Sequence, residues 1–201
     1  MSYLKEINWV VVPTTTPTVK KNCSKCGHHA TFVNSEKFRV NANKNKLDVW
    51  LIYQCEKCKS TWNMTIYERI APKDIPEEAY QFFLENDRQL ARAYGFDKGL
   101  HSRNKVMLDY ENVVYTVEGK SVDWIRETDL PHEDVRIKIV CEKPFDLRLD
   151  KLLSYKLGIS RSQIKTLHKS GVISGVSKEN VLKEKVHDEL LVSIKIGADK
   201  Q

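Results

Sequence analysis

The sequence lacks any apolar run near the roughly 20 residues needed to cross a bilayer, which excludes a membrane-spanning helix. It also lacks the apolar core of a signal peptide, because Glu6 and Asn8 stand where that core would lie. Residues 72–143 contain no phosphate-binding glycine loop, no nucleophile elbow and no internal repeat. These absences favour a cytoplasmic protein without a recognisable catalytic motif.

The composition, with 41% hydrophobic and 30% charged residues, is that of a folded protein with a buried core. The net charge of +6 is unevenly distributed: residues 1–71 carry +6, residues 72–143 carry −4 and residues 144–201 carry +4. Solubility alone would account for a positive net charge, but its segregation favours an anionic partner. We predict three domains with these bounds.

Two C-x-x-C pairs form the strongest motif. Cys23 and Cys26 make the first pair, Cys55 and Cys58 the second, and 28 residues separate them. Two residues between thiols let one tight turn direct both sulfurs at one ion, and two such turns complete a tetrahedron. A closed shell of four sulfurs leaves no ligand position for catalysis, so we predict one structural zinc ion, with iron or an iron–sulfur cluster as the alternative. We expect the fifth cysteine, Cys141, to be a buried thiol in a strand.

Strand patterns surround these cysteines. The strand candidates are Ile7–Val12, Thr31–Val40, Leu47–Tyr53 and Ser60–Arg69. The alternation in the second candidate places Phe32 and Phe38 on one side, whereas Leu47–Tyr53 is apolar on both faces and is expected to be an interior strand. Two metal-binding turns joined by a β-hairpin, with a strand leaving the second turn, predict a zinc-ribbon β region over residues 1–71.

The middle region, residues 72–143, reads as an α/β connector or packing platform. We predict one helix from about Asp74 to Gly95, a short helix from about Asp97 to Arg103, and two or three strands after it. An alternative is an RNA-modifying or other enzyme whose site lies in this region. Its candidate residues would be Asp97, His101, Asp109, Asp123 and His132, which form no recognisable acid/base or nucleophile constellation.

The C-terminal segment predicts two amphipathic helices followed by strands. Gly158 suits the end of the first helix, and Ser160 with Gln163 forms a capping box that begins the second. The first helix carries Arg148, Lys151 and Tyr155 on one side. The second carries Arg161, Lys165 and Lys169 at one-turn spacing, with Ser162 beside them. Such cations can follow RNA phosphates, although a solvated charged face is the plainer explanation.

The order of several short motifs resembles the S-four RNA-binding domain, a small motif named after a ribosomal small-subunit protein. The matching stretches are Arg148-Leu-Asp-Lys-Leu-Leu, Leu157-Gly-Ile-Ser-Arg-Ser162, Lys169-Ser-Gly171-Val-Ile and Val186-His-Asp188. The resemblance covers Phe145 to Ile196 and implies a helix–helix–sheet unit whose basic face binds structured RNA through Arg148, Lys151, Arg161, Ser162, Lys165 and Lys169. Ser174-Gly175 stands where the family usually has Asn-Gly, and His187-Asp188 where it has Gly-Asp, so the departures concern a hairpin. The whole chain also resembles an uncharacterised bacterial family that pairs a cysteine-rich N-terminus with such a domain.

Together these features predict an α+β protein with a zinc-ribbon β domain (1–71), an α/β middle region (72–143) and a small S-four-like domain (144–201). The expected function is binding of structured rRNA or tRNA, in association with the ribosome, with a structural zinc ion, no membrane contact and no catalysis. The alternatives are the enzyme described above and a zinc-dependent module that docks a protein partner through the ribbon.

Overall fold

The computed structural model describes residues 4–120, 134–143, 145–175 and 181–195, and in these residues the chain forms two five-stranded sheets and five α-helices. The strands are β1 Leu4–Pro13, β2 Thr18–Cys23, β3 His28–Asn43, β4 Lys46–Cys55, β5 Thr61–Ile70, β6 Leu108–Asp109, β7 Tyr115–Glu118, β8 Asp134–Val140, β9 Ile173–Gly175 and β10 Leu190–Lys195. The helices are α1 Glu77–Glu85, α2 Arg88–Phe96, α3 Lys98–Arg103, α4 Leu149–Leu157 and α5 Arg161–Lys169. The predicted α+β class is confirmed.

The chain divides into two compact units rather than three consecutive segments. One unit comprises Thr15–Val114, and the other combines Met1–Thr14 with Tyr115–Gln201. Strand β1, which was expected in the zinc-ribbon region, belongs to the second unit because it pairs in parallel with β8 and antiparallel with β7. Partners more than 100 residues away along the chain leave no local pattern in the sequence of β1.

The unit Thr15–Val114 is an antiparallel sheet in the order β5-β4-β3-β2-β6 with helices α1, α2 and α3 on one face. In β4 every second residue from Leu47 to Cys55 is buried, and β4 lies between two neighbours, as predicted for an interior strand. The rings of Phe38 and Phe83 pack edge to face, with centroids 5.0 Å apart, and join β3 to α1. The middle-region helices therefore complete the core of the cysteine-bearing sheet.

The single helix predicted from Asp74 to Gly95 is wrong, because the structure has two helices there. Asn86 ends α1 in the left-handed conformation, with φ of 57°, and its Oδ1 accepts the N–H of Phe38 at 2.7 Å. Asp87 then begins α2, since its carboxylate accepts the N–H of Leu90 at 2.7 Å. Asparagine tolerates the left-handed region, so a contact with β3 interrupts a continuous amphipathic pattern. The short helix α3 is where the sequence predicted it.

The second unit is a mixed sheet in the order β7-β1-β8-β10-β9, and helices α4 and α5 contact each other beside it. Every second residue of β8 is buried in the core of this unit, namely Val135, Ile137 and Ile139. Gly158 adopts the predicted left-handed cap, with φ of 64°. The predicted capping box at the start of α5 is present, with Ser160 accepting from the backbone of Gln163 and the Gln163 side chain accepting in return. None of the helices in the described residues is long and apolar enough to span a bilayer.

Asn104 provides a test of how α3 is attached to the sheet. Its side-chain amide exchanges two hydrogen bonds with the backbone of Thr65 on β5, each 2.9 Å, and donates a third to the carbonyl of Leu100 at 3.0 Å. We expect Asn104→Ala to lower the free energy of unfolding by about 1–2 kcal/mol, because an edge-strand peptide loses both partners. Gln81→Ala, on the exposed side of α1, should change it by less than about 0.5 kcal/mol in the same urea titration. If both variants changed the free energy of unfolding equally, the attachment of α3 to β5 through Asn104 would be contradicted.

Candidate metal centre and basic helical face

The two C-x-x-C sequences form the same kind of turn at the same end of the sheet. The first turn leads from β2 into β3, and the N–H of Gly27 donates to the carbonyl of Cys23 at 2.9 Å. The second leads from β4 into β5, and the N–H of Lys59 donates to the carbonyl of Cys55 at 2.9 Å. Gly27 and Lys59 are both left-handed, with φ of 73° and 61°. Glycine takes this conformation without strain, whereas lysine takes it only where its surroundings require it.

Strand register brings the two turns together. Phe32, four residues into β3, lies opposite Cys55 at the end of β4, so the turn before β3 and the turn after β4 are adjacent. The four sulfurs lie within 4.8 Å of one another, and the Cys23–Cys58 and Cys26–Cys55 pairs are 3.5 and 3.9 Å apart. A tetrahedral ion about 2.3 Å from each sulfur would set the sulfurs about 3.8 Å apart. The four cysteines therefore fit a metal ion and are too far apart for disulfides, which need about 2.05 Å.

Ser60 is a neighbour of the cluster that the sequence analysis missed. Its hydroxyl lies 3.2 Å from the sulfur of Cys23 and 3.0 Å from that of Cys58. This hydroxyl, with the backbone N–H of Cys26, lowers the pKa of Cys23 to about 6. Hydrogen bonding to Cys58, together with burial, raises the pKa of Cys26 to about 12. Four neighbouring thiols therefore cannot all ionise near neutral pH unless a cation compensates their charge.

Aromatic and histidine side chains surround the cluster without joining it. The ring of Trp62 packs against Tyr53 and Phe32, with centroids 5.5 and 6.5 Å apart, and the ammonium of Lys21 lies 5.1 Å from the Trp62 ring. The Nδ1 atom of His28 hydrogen-bonds to the carbonyl of Cys26 at 2.7 Å. His28 therefore steadies the first turn and contributes no ligand atom to the four-sulfur group.

The second candidate site is the basic helical face, which we define as the six residues predicted to contact RNA. These residues are Arg148, Lys151, Arg161, Ser162, Lys165 and Lys169, and all are exposed. Arg148 immediately precedes α4, and Arg161, Lys165 and Lys169 follow one another at single-turn intervals along α5. The structure thus places the six on, or directly before, two contacting helices.

One carboxylate joins the two arginines of this face. Asp150, whose side chain is 9% exposed, accepts Nε and Nη2 of Arg148 at 3.0 and 2.8 Å. It also accepts Nε and Nη2 of Arg161 at 3.0 and 2.6 Å. Burial would raise the pKa of Asp150, but the two guanidinium groups outweigh it and the pKa is lowered. Sequence analysis missed this role, although Asp150 is the only acidic residue in α4 and α5.

Three of the five residues considered for an enzyme have structural partners. Asp97 begins α3 by accepting the N–H of Leu100 at 2.8 Å, and Asp109 pairs with Lys20 at 2.9 Å. His101 donates from Nδ1 to the carbonyl of Asp97 at 2.7 Å, so its Nε2 accepts the hydroxyl of Tyr53 at 2.9 Å. Burial lowers the pKa of His101 and raises that of Tyr53.

His101 also lines a cavity of about 280 Å³, together with Ser102, Met107 and Tyr110. Both of its ring nitrogens are already hydrogen-bonded, which leaves neither available to a ligand in this cavity. The remaining enzyme candidates, Asp123 and His132, lie outside the described residues.

The Asp150 contacts predict a pH-dependent contribution to stability. Because the folded-state pKa of Asp150 is lowered, the contribution is present above the unfolded pKa of about 3.9 and is lost as the pH falls through the folded value. Asp150→Asn should lower the free energy of unfolding by about 1–3 kcal/mol at pH 7. Urea titrations from pH 7 down to about pH 2 should show this difference disappearing at the acid end. A difference that is independent of pH would contradict the assignment.

Comparison with the curated proteins and with the solved structures gives no significant match. Residues 40–179 match the family described as "Protein of unknown function (DUF1062)". The matched range includes the second cysteine pair and both helices of the basic helical face, and it begins after the first cysteine pair. Because the match covers more than half of the chain, the protein belongs to the DUF1062 family.

Proposed function

We propose that the protein binds structured RNA through the basic helical face and holds one structural zinc ion with its four cysteines. The observation that carries the RNA proposal is the pairing of Arg148 and Arg161 on Asp150. The pairing fixes two guanidinium groups side by side at the surface. Each guanidinium has five N–H donors, so those not directed at Asp150 can donate to phosphate oxygens.

The surrounding charge supports this proposal. Residues 145–175 carry six Lys or Arg against two Asp, and one of the two, Asp150, is largely buried under its arginines. The order of α4, α5, β9 and β10 is compatible with the helix–helix–sheet unit that the S-four resemblance implies. RNA would therefore meet a rigid cationic surface on two adjacent helices, and contacts to phosphates would give affinity with little base specificity.

The cysteine group supports a structural zinc site of the ribbon type. Its four sulfurs match the spacing around a tetrahedral ion and leave no position for a substrate. Ser60 would fix the orientation of two sulfurs. Thiols kept reduced for metal binding fit the cytoplasm. The ion would anchor the ends of β2, β3, β4 and β5, so its role is to stabilise this end of the sheet.

The RNA proposal predicts a loss of affinity when cations are removed from α5. The double variant Arg161→Ala/Lys165→Ala should bind tRNA or rRNA fragments about tenfold or more weakly. The slope of log K against log salt should also decrease by about two, because two phosphate contacts are lost. Fluorescence anisotropy at several salt concentrations measures both quantities.

The matched control is Lys73→Ala/Arg103→Ala, which removes one lysine and one arginine from exposed positions in the other unit. This control should keep the wild-type affinity and salt slope. If the α5 variant and the control bind RNA equally well, the proposed face is wrong.

The zinc proposal predicts about one equivalent of zinc per chain in freshly purified protein. Cys55→Ser should abolish stoichiometric zinc and lower the thermal unfolding midpoint, since the ion binds the folded chain only. Cys141→Ser is the matched control, because Cys141 lies in the other unit and outside the cysteine group. Elemental analysis of the three proteins would refute the proposal if wild-type protein contained no metal, or if Cys55→Ser retained all of its zinc.

A further inference from the structure

The sheet of the unit Thr15–Val114 has one face that its helices do not cover. The odd-numbered residues of β4 are buried, and the helix residues Phe83 and Tyr94 pack on that side against Phe38. The even-numbered residues of β4 point to the opposite side and are only partly buried from Asp48 to Gln54. Trp50 lies in the middle of this second side, which we call the open face.

The indole of Trp50 lies next to a cationic side chain and also borders a cavity. Arg39 on β3 and Thr65 on β5 are its register partners, and the guanidinium carbon of Arg39 lies 5.8 Å from the indole centroid. A polar cavity of about 250 Å³ also borders the indole. Its lining includes Trp50, Lys46, Asp48, Thr65, Glu68 and Arg69. A large aromatic ring thus forms one wall of a polar recess.

A distortion of β5 shapes this recess. The β4–β5 register shifts between Leu47 and Trp50, and Arg69 is left-handed, with φ of 50°. The carboxylate of Asp48 accepts the N–H of Arg69 at 2.8 Å and so holds the distorted backbone. Such irregularities redirect side chains away from the regular ladder. Of the two carboxylates in the recess, that of Asp48 is therefore already hydrogen-bonded to the backbone.

The charge around Trp50 indicates the class of ligand. Lys37, Arg39, Lys46 and Arg69 outnumber the carboxylates Asp48 and Glu68. An indole ring can stack on any planar ring, and flanking cations attract phosphates. Polar side chains can form hydrogen bonds with the edge of a base. Paired bases are stacked within a helix and present no free ring face, so the ligand must be unpaired.

We propose that the open face binds a single-stranded segment of nucleic acid, with one unpaired base stacked on Trp50 and its edge in the recess. This inference rests on the proposed function in taking RNA as the ligand, but it concerns a different surface. The basic helical face would hold structured RNA, and the open face would hold an unpaired segment.

The test uses the full-length protein with two probes, a single-stranded RNA of eight nucleotides and a stable RNA hairpin without overhangs. Base–aromatic stacking predicts that Trp50→Leu weakens binding of the single strand by about five- to 100-fold. Trp50→Phe keeps an aromatic face and should stay within about threefold of wild type. Hairpin affinity should be unchanged in both variants. If Trp50→Leu unfolds, as judged by thermal denaturation, Lys46→Gln/Arg69→Gln replaces it and should weaken binding of the single strand only.

The outcomes separate the two proposals. If wild type does not bind the single strand, or if Trp50→Leu, or the replacement double variant, binds it as tightly as wild type, the open-face inference is overturned. If the single strand depends on Trp50 while the hairpin is not bound, the open-face inference stands and the basic helical face fails. A single strand whose affinity falls in Arg161→Ala/Lys165→Ala but not in Trp50→Leu would assign all RNA contacts to the helices and overturn the inference.

Discussion

The register between β3 and β4 is the constraint on which both candidate features of the unit Thr15–Val114 depend. The β3–β4 register sets Phe32 opposite Cys55 and so brings both cysteine turns to one point, with all four sulfurs within 4.8 Å. Thiolates at this separation need a cation to compensate their charge. The same two strands carry Arg39 and Trp50 as opposite residues on the open face. An ion that fixes the ends of β3 and β4 would therefore also fix the register on which the open face depends.

In the second unit the neighbouring groups of like charge are positive. Here one carboxylate, Asp150, gathers the guanidinium groups of Arg148 and Arg161. Two unpaired arginines on flexible side chains would lose more conformational entropy on meeting phosphate than two that are already held. The contact also joins the start of α4 to the start of α5, so the fold of the helix pair and the presentation of its cations depend on the same residue.

Local features of the fold could be predicted from the sequence, whereas long-range contacts could not. The cysteine spacing, the capping box at Ser160 and the left-handed Gly158 are short-range signals, and the structure contains each of them. The pairing of Leu4–Pro13 with β8, the helix break at Asn86 and the joining of two arginines by Asp150 each depend on a distant partner or on side-chain geometry. Sequence periodicity does not encode such partners, which is why the division into units differed from the predicted one.

The central claim is that the cations of α4 and α5 contact RNA in the cell. Ultraviolet crosslinking of the full-length protein in living cells, followed by mass spectrometry of the RNA-linked peptides, tests it most directly. Crosslinked peptides should come from residues 145–170, and the attached RNA should be enriched in structured rRNA or tRNA sequences. Recovery of the protein without crosslinked RNA, or with crosslinks confined to peptides outside residues 145–170, would contradict the claim.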